Sequence, residues 1–408
     1  MGILMLSANT GEGHNATAKA IMEVYESRQI PCQLEDCLAF LSPGFSKFIS
    51  NWHVRLYRHG PKLFDWGYRF AEFTSDPDEF NPIYELLSLG AKKMRDWILE
   101  RDFDAIICSH SFAGAMVTEI RRSWGLDIPC YFVATDYTCH PVVEQCQLDG
   151  YFIPTADQKG EFEAAGIPEE LLIPVGIPVR QAFYKKTPKT QAREKLGLDQ
   201  ESTYVLLMCG SMGCGPIEKT AKDLVEKLPE TAKVIAVCGN NTTLFESMEK
   251  IQNSRLTALG FTSNIDEYMD AVDLMITKPG GLSSTEAANK ALPMVFIDAV
   301  AGCETYNAIH FIRKGGAKTG KTVEEFVVAM NEKAKALGMT ATHFENTNGL
   351  DDTARNHVTS ARDIAIMSRA LIAHKEILTY SSTWMDTIRD GAFGLTNTNR
   401  LVRYYPGC

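Results

Sequence analysis

The chain has 408 residues, which at roughly 150 residues per domain predicts two or three domains with ample cores. Hydrophobic residues at 45% and charged residues at 23% describe an ordinary soluble globular protein. The formal net charge of -10 argues against a nucleic-acid binder but leaves room for a local basic patch on an anionic membrane.

Eleven cysteines, an odd number without a C-x-x-C pair, suggest neither a disulfide framework nor a zinc site, so reduced thiols in a cytosol are expected. The opening stretch MGILMLSANTGEGHNATAKAI has no basic residue before its short apolar run and is broken at once by Gly11, Glu12, Gly13 and His14. It does not read as a signal peptide. No run of about 18 apolar residues occurs beyond it, so any membrane role is expected to be peripheral.

In chain order, short apolar runs alternate with amphipathic stretches: ILMLS, DAIICSHS, CYFVATD, YVLLMCGSMG, KVIAVCGN, LMITKPGG and MVFIDA, most of them leading into a helical pattern. This β-α-β rhythm predicts parallel, doubly wound sheets, and it runs twice, before and after VGIPVR at 175–180. Two Rossmann-like domains with a cleft between them are expected, over 1–178 and 179–322, with ligands at the carboxyl ends of the strands. From Val323 to 408 the text is mostly helical and loop, with little that reads as strand.

SANTGEGH at 7–14 lies between the first strand and an alanine-rich helix. Its glycines let backbone approach a ligand, the helix N-terminus offers N–H groups, and His14 places a titratable base there. A tight turn with an incidental histidine is the alternative. A second glycine loop, CGSMGCGP at 209–216, precedes ITKPGGLSSTEAANKALP at 276–293 and GCETYN at 302–307. A diphosphate fits between Gly210, Ser211 and Gly213 on one side and Gly280, Gly281 and Ser283 on the other, with Lys278 for its charge and Glu286 for a ribose diol. The alternative is glycines for helix packing and a solvent-facing Glu286.

These segments, with ATDYTCHP at 134–141, VGIPV, CGNN at 238–241 and LGFTSNIDEYMDAVDLMITKPGG, resemble the monogalactosyldiacylglycerol synthases and processive diacylglycerol glucosyltransferases. The resemblance covers about residues 2–320. It implies the α/β GT-B fold, shared with the transferase that makes lipid II, and inverting transfer of a hexose from a UDP-sugar to diacylglycerol or a similar lipid. It also implies a place at the inner face of the cell membrane. His14 would be the acceptor-side base and Asp136 a neighbouring acid. Gly210, Ser211, Phe261, Lys278, Gly280, Gly281, Ser283, Glu286, Glu304 and Asn307 would hold the donor. A histidine and a helix N-terminus supply base and leaving-group stabilisation, so no metal or cofactor is expected. Asp76-Pro77-Asp78 matches D-x-D but reads as a polar turn or cap.

WHVRLYRHGPKLFDWGYRFAEF at 52–73 mixes aromatic and basic residues. Trp52, Arg55, Arg58 and Trp66, with Gly11 and Gly13, are candidates for the acceptor and membrane side; helix packing explains the stretch equally well.

From about 326 the sequence is similar to an interior piece of the serine D-alanyl-D-alanine carboxypeptidases, the low-mass penicillin-binding proteins. MNEKAKALGMTATHFENTNGLDD, TSARDIAIMSRALIAHKEILTYSSTW and LTNTNRLVRYYPGC carry the likeness. That family needs S-x-x-K, S-x-N and K-T-G in that order. The only S-x-x-K here is Ser247–Lys250, within the transferase-like half, and Lys318-Thr319-Gly320 precedes the segment it should come after. The tail is therefore expected to lack the peptidase chemistry. A hydrolase of stem peptides, and a chimera that binds UDP without turnover, stand as alternatives to the transferase. GGAKTGKT at 315–322 also matches a P-loop, but AIHFIRK before it reads as helix rather than strand, so a loop ending that helix is expected.

Overall fold

The computed structural model describes residues 2–9, 12–42, 44, 46, 82–297, 302–319, 331, 333–345, 356–373, 385–388 and 393–396. The chain divides into two compact units, Met1–Gly320 and Lys321–Cys408.

The first unit holds two six-stranded sheets, every pairing in them parallel. The N-terminal sheet comprises β1 (Ile3–Ser7), β2 (Cys32–Asp36), β3 (Ala105–Cys108), β4 (Cys130–Val133), β5 (Gly150–Ile153) and β6 (Leu172–Pro174), in the order β2-β1-β3-β4-β5-β6. The second comprises β7 (Thr203–Met208), β8 (Ala232–Val237), β9 (Leu256–Leu259), β10 (Leu274–Thr277), β11 (Met294–Phe296) and β12 (Ala317–Thr319), in the order β12-β11-β10-β7-β8-β9. Helices cover both faces, as parallel strands require. Along β1, Leu4 and Leu6 enter one core and Ile3 and Met5 the other. Along β7, Tyr204, Leu206 and Met208 face one core while Val205 and Leu207 face its opposite. The period-two alternation therefore feeds two apolar layers instead of a core and a solvent face.

The strands missing from the sequence reading are edge or near-edge ones. Cys32–Asp36 has no fully buried residue, Leu172–Pro174 is three residues long, and Leu256–Leu259 is half exposed, so none shows a clean apolar run. GGAKTGKT is also corrected. Ala317–Thr319 is not loop but edge strand β12, with Val295 opposite Lys318. Before its glycines comes the Cys303–Arg313 helix, so the strand that a P-loop needs is not there.

A buried ion pair fixes the start of the second lobe. Lys290 Nζ lies 2.7 Å from Asp270 Oδ2, with both side chains about 1% exposed. Asp270 also accepts from the Thr187 amide at 3.1 Å, and Lys290 donates to the Lys185 carbonyl. Such a pair contributes little net stability but fixes register, because either charge alone in the core would be costly.

In the second unit, the Ala361–Ile372 helix is capped by Ser360, whose hydroxyl accepts from the Asp363 amide at 3.1 Å. Buried Asp363 in turn accepts from the Ala341 amide and the Thr342 hydroxyl at 2.7 and 2.8 Å. Strand among the described residues of this unit is confined to one antiparallel pair, Met385–Ile388 with Phe393–Thr396.

Candidate active site

In each sheet the first strand has neighbours reached by connections in opposite directions, β2 and β3 for β1, β8 and β10 for β7. Such switch points leave a crevice at the carboxyl ends. His14 comes after β1, Ser109 and His110 after β3, the 209–216 loop after β7, and Lys278–Gly281 after β10.

His14 lies in the first turn of the Glu12–Ser27 helix. Its Nδ1 is 2.9 Å from the Ser109 carbonyl. A carbonyl only accepts, so Nδ1 carries the ring hydrogen and Nε2 is the basic nitrogen. Thr135 Oγ1, 2.9 Å from the same Nδ1, shares that hydrogen and turns its own O–H to Asp136 Oδ2 at 3.4 Å. Burial lowers the His14 pKa below the ordinary histidine value, while the Asp136 charge and the Ser109 bond pull the other way. The ring meets His110 edge-on, centroids 4.4 Å apart. His110 and His140 both accept backbone hydrogens at Nδ1, from Phe112 at 3.0 Å and Val142 at 3.3 Å, so each keeps its hydrogen on Nε2. Burial, against the pull of Asp136 and helped by His14, pushes His140 down to about 4.

Asp136 is where the lobes meet. Asn307 Nδ2 donates to Asp136 Oδ1 at 2.7 Å and to the Pro279 carbonyl at 3.0 Å, while its Oδ1 accepts from the Tyr137 amide at 2.7 Å. The residue expected on the donor is thus fully buried, with both Nδ2 hydrogens spent inside the protein. Gly281 is likewise given a different occupation. A Cβ there would lie 2.1 Å from the Thr135 carbonyl oxygen and 2.9 Å from Asp136 Oδ1, so its missing side chain admits the opposite lobe.

On the donor side, Gly210 has φ +71° with open space at its Cα, as a loop that receives a ligand requires. Gly213 is instead pressed against its own lobe, since a Cβ would sit 2.0 Å from the Cys238 carbonyl oxygen. The Ser211 carbonyl accepts from the Asn240 amide at 2.8 Å, tying the 209–216 loop to CGNN. Lys278 is buried at the end of β10. Gly280 is the N-cap of the Gly281–Asn289 helix, and Ser283 lies in its first turn, bonded to the Gly280 carbonyl at 3.4 Å. Glu286 is pushed up to about 8 by burial, against the pull of Arg180 and with a further push from Asp266. Its side chain is half-buried, so it is not fully turned to solvent. Glu304 sits in the first turn of the Cys303–Arg313 helix. Phe261 is 67% exposed, a free aromatic face in the loop after β9.

Gly13 is uncrowded. Gly11, Trp52, Arg55, Arg58, Trp66 and the Asp76–Asp78 string lie outside the described residues. Ser247 donates to Glu218 at 2.6 Å rather than to Lys250, which is no peptidase nucleophile pair. Among the described residues, no three His, Cys, Asp or Glu side chains are grouped to hold a metal. The sequence reading missed Ser109, Thr135 and Tyr137, which orient the named residues. Their signal was their place beside strand ends and, for Thr135 and Tyr137, inside ATDYTCHP.

The family model for monogalactosyldiacylglycerol synthase matches residues 14–179, and that for the glycosyltransferase family 28 C-terminal domain matches 204–342. The model for D-alanyl-D-alanine carboxypeptidase matches 317–407. A processive diacylglycerol beta-glucosyltransferase of Bacillus licheniformis is 29% identical over 335 residues, 81% of this chain and 85% of that one. Its Bacillus pumilus counterpart is 30% identical over 321 residues, 77% and 82% of the two chains. Among solved structures, the glycotransferase of kitacinnamycin superposes with TM-score 0.51 at 14% identity, covering 81% of this chain and 90% of that one. UDP-GlcNAc 2-epimerase from Neisseria meningitidis gives 0.50 at 12%, covering 92% and 100%. These likenesses, with the paired parallel sheets, establish the GT-B fold, and the sequence relatives go further: the chain belongs to the family of the processive diacylglycerol beta-glucosyltransferases.

Proposed function

We infer that the chain transfers a hexose from a UDP-sugar to the hydroxyl of diacylglycerol or a similar lipid, with inversion. The observation that carries this reading is the fixed tautomer of His14, a basic Nε2 at the β1 switch point, linked through Thr135 and Asp136 to the Gly281–Asn289 helix of the opposite lobe. His14 Nε2 takes the proton of the acceptor hydroxyl as its oxygen forms the bond to the anomeric carbon. The bond from that carbon to the diphosphate oxygen breaks on the far side, and UDP leaves with the electron pair. The N–H groups of the helix's first turn at Gly281–Ser283 and the loop at Gly210 and Ser211 receive the diphosphate, whose growing charge they stabilise. Lys278, buried at the end of β10, adds a positive charge there. Glu286 accepts the ribose hydroxyls, Phe261 offers its face to the base, and Glu304 lies beside the sugar. Asp136, one residue from the Thr135 that bonds the base, supports the positive charge His14 gains.

The acceptor site is at the carboxyl edge of the first sheet, and the lipid reaches it from the cytoplasmic membrane face. No described helix is long and apolar enough to cross a membrane, and attachment through the 52–73 segment belongs to the same proposal. The 1–178 part serves the acceptor and 179–322 the donor, while 323–408 carries no transfer chemistry. Purified chain with labelled UDP-glucose or UDP-galactose and diacylglycerol vesicles should give labelled glycolipid. UDP binding without product from any lipid acceptor would leave a donor-binding relic instead.

A further inference from the structure

Residues 135, 136 and 137 are consecutive, and each makes a different connection. Thr135 bonds the His14 ring. The Asp136 carboxylate is held by Asn307. Tyr137, though it comes after β4 of the first sheet, packs against the core of the second lobe. Its ring stacks on His310, centroids 4.1 Å apart and planes 19° apart, and meets Phe311 edge-on at 4.8 Å. Its hydroxyl is 2.9 Å from Thr285 Oγ1. Thr285 spends its own hydrogen on the Gly281 carbonyl at 2.7 Å, so Tyr137 is the donor in that pair. Asn307, His310 and Phe311 fall at i, i+3 and i+4, one face of the Cys303–Arg313 helix.

We propose that Tyr137 and Asn307 are positioning residues that set the His14–Thr135–Asp136 relay only when the donor lobe is docked on it. The inference deepens the transferase reading and rests on it. Asn307 satisfies three partners from two lobes with one side chain, and those partners are the catalytic-side carboxylate, the next backbone amide and the carbonyl beside the donor helix cap. A hydrogen bond to a charged group held this way is strong, and losing it leaves a half-buried carboxylate to reorient. Acceptor activation is thereby tied to the lobe that carries the UDP-sugar, which disfavours proton removal from an acceptor before the donor lobe is in place.

Three variants test this. Asn307→Ala and Tyr137→Ala should each lower kcat by about ten- to a hundredfold, with UDP affinity, read by calorimetry, changed no more than about threefold. Tyr137→Phe, which keeps the stacked ring, should retain most of the activity. Asn307→Asp keeps the acceptor for the Tyr137 amide but faces Asp136 with a second carboxylate. Its activity relative to wild type should rise as pH falls and the new carboxyl becomes protonated to donate again. A flat ratio overturns the proposal, and equal loss of kcat and UDP affinity, which a purely structural role predicts, overturns it as well. Amide exchange supplies a readout independent of transfer. In Asn307→Ala the Tyr137 amide should lose protection while β1 and β7 keep theirs. A wild-type chain that makes no glycolipid yet shows this exchange pattern would count against the transferase reading and not against the docking contact; unchanged protection would overturn the contact itself.

Discussion

At the carboxyl edge of the first sheet stand His14, His110 and His140, held in definite tautomers by backbone partners, and Asp136, held by the Asn307 amide. The corresponding edge of the second sheet offers glycine loops and the Gly280 cap of a helix, with Glu286 as its strongly shifted group. One parallel plan thus carries two different sets of loop residues, which the proposed transfer uses for proton handling on one side and anion reception on the other. A parallel sheet fixes where a site lies, and the loop residues alone decide what it does.

The sharpest way to break this division is His14→Ala. Removing a general base should lower transfer by about 10²- to 10⁴-fold and leave UDP binding nearly unchanged, which rates and calorimetry on one preparation would show. In the wild type the base must be unprotonated, and its pKa is lowered by burial. At saturating donor, kcat should therefore hold on going below neutrality and fall only at a pH under the ordinary histidine value; a fall in kcat centred above it would contradict the assignment. Next in size is Gly281→Ala. The added methyl meets backbone on the opposite lobe, and overpacking of about 1–3 kcal/mol should reduce the docked arrangement by about five- to a hundredfold, measured as lost kcat.

Glu286 tests the anion side through pH. Burial holds its pKa up to about 8, so the empty site is largely protonated at neutrality. Ribose hydroxyls that donate to the carboxylate favour its charged form, so nucleotide binding expels a proton. UDP affinity should then rise with pH up to about 8 and level off, and Glu286→Gln should flatten that slope. The smallest effect is expected from Lys314→Ala. Its exposed pair with Asp157 also joins the lobes, yet solvent screens it, and kcat should stay within about twofold.

Much of this is legible in the sequence alone. A strand, a glycine loop and an Ala-rich helix place His14 by local pattern, and the same holds for Gly210 and the Gly280 cap. Less legible is what the glycines make room for. At Gly213 and Gly281 the missing side chain makes room for backbone, of Cys238 and Thr135 respectively, and no local signal separates that from room for a ligand. Asn307 stands out as a site residue, but its partners in the first lobe are 170 and 171 positions away in sequence. Only the fold brings them together. The edge strands escape because half-exposed segments carry no strong periodicity, and β12 because three residues beside a glycine pair look like a loop.

Among the described residues, the chain passes between the two sheets once. Val175 still bonds to Ile153 at the edge of the first sheet, whereas Val179 and Phe183 already pack into the second core. Just beyond them, the Asp270–Lys290 pair grips the backbone at Lys185 and Thr187. Only Gly176, Ile177 and Pro178 lie between those anchors. Proline has a nearly fixed φ, and Gly176, at φ +92°, has nothing crowding its Cα. Torsional change during any swivel of one sheet against the other is therefore concentrated at Gly176. The covalent joint acts as a short axle, limiting the directions in which the histidine edge and the anion edge can separate and return.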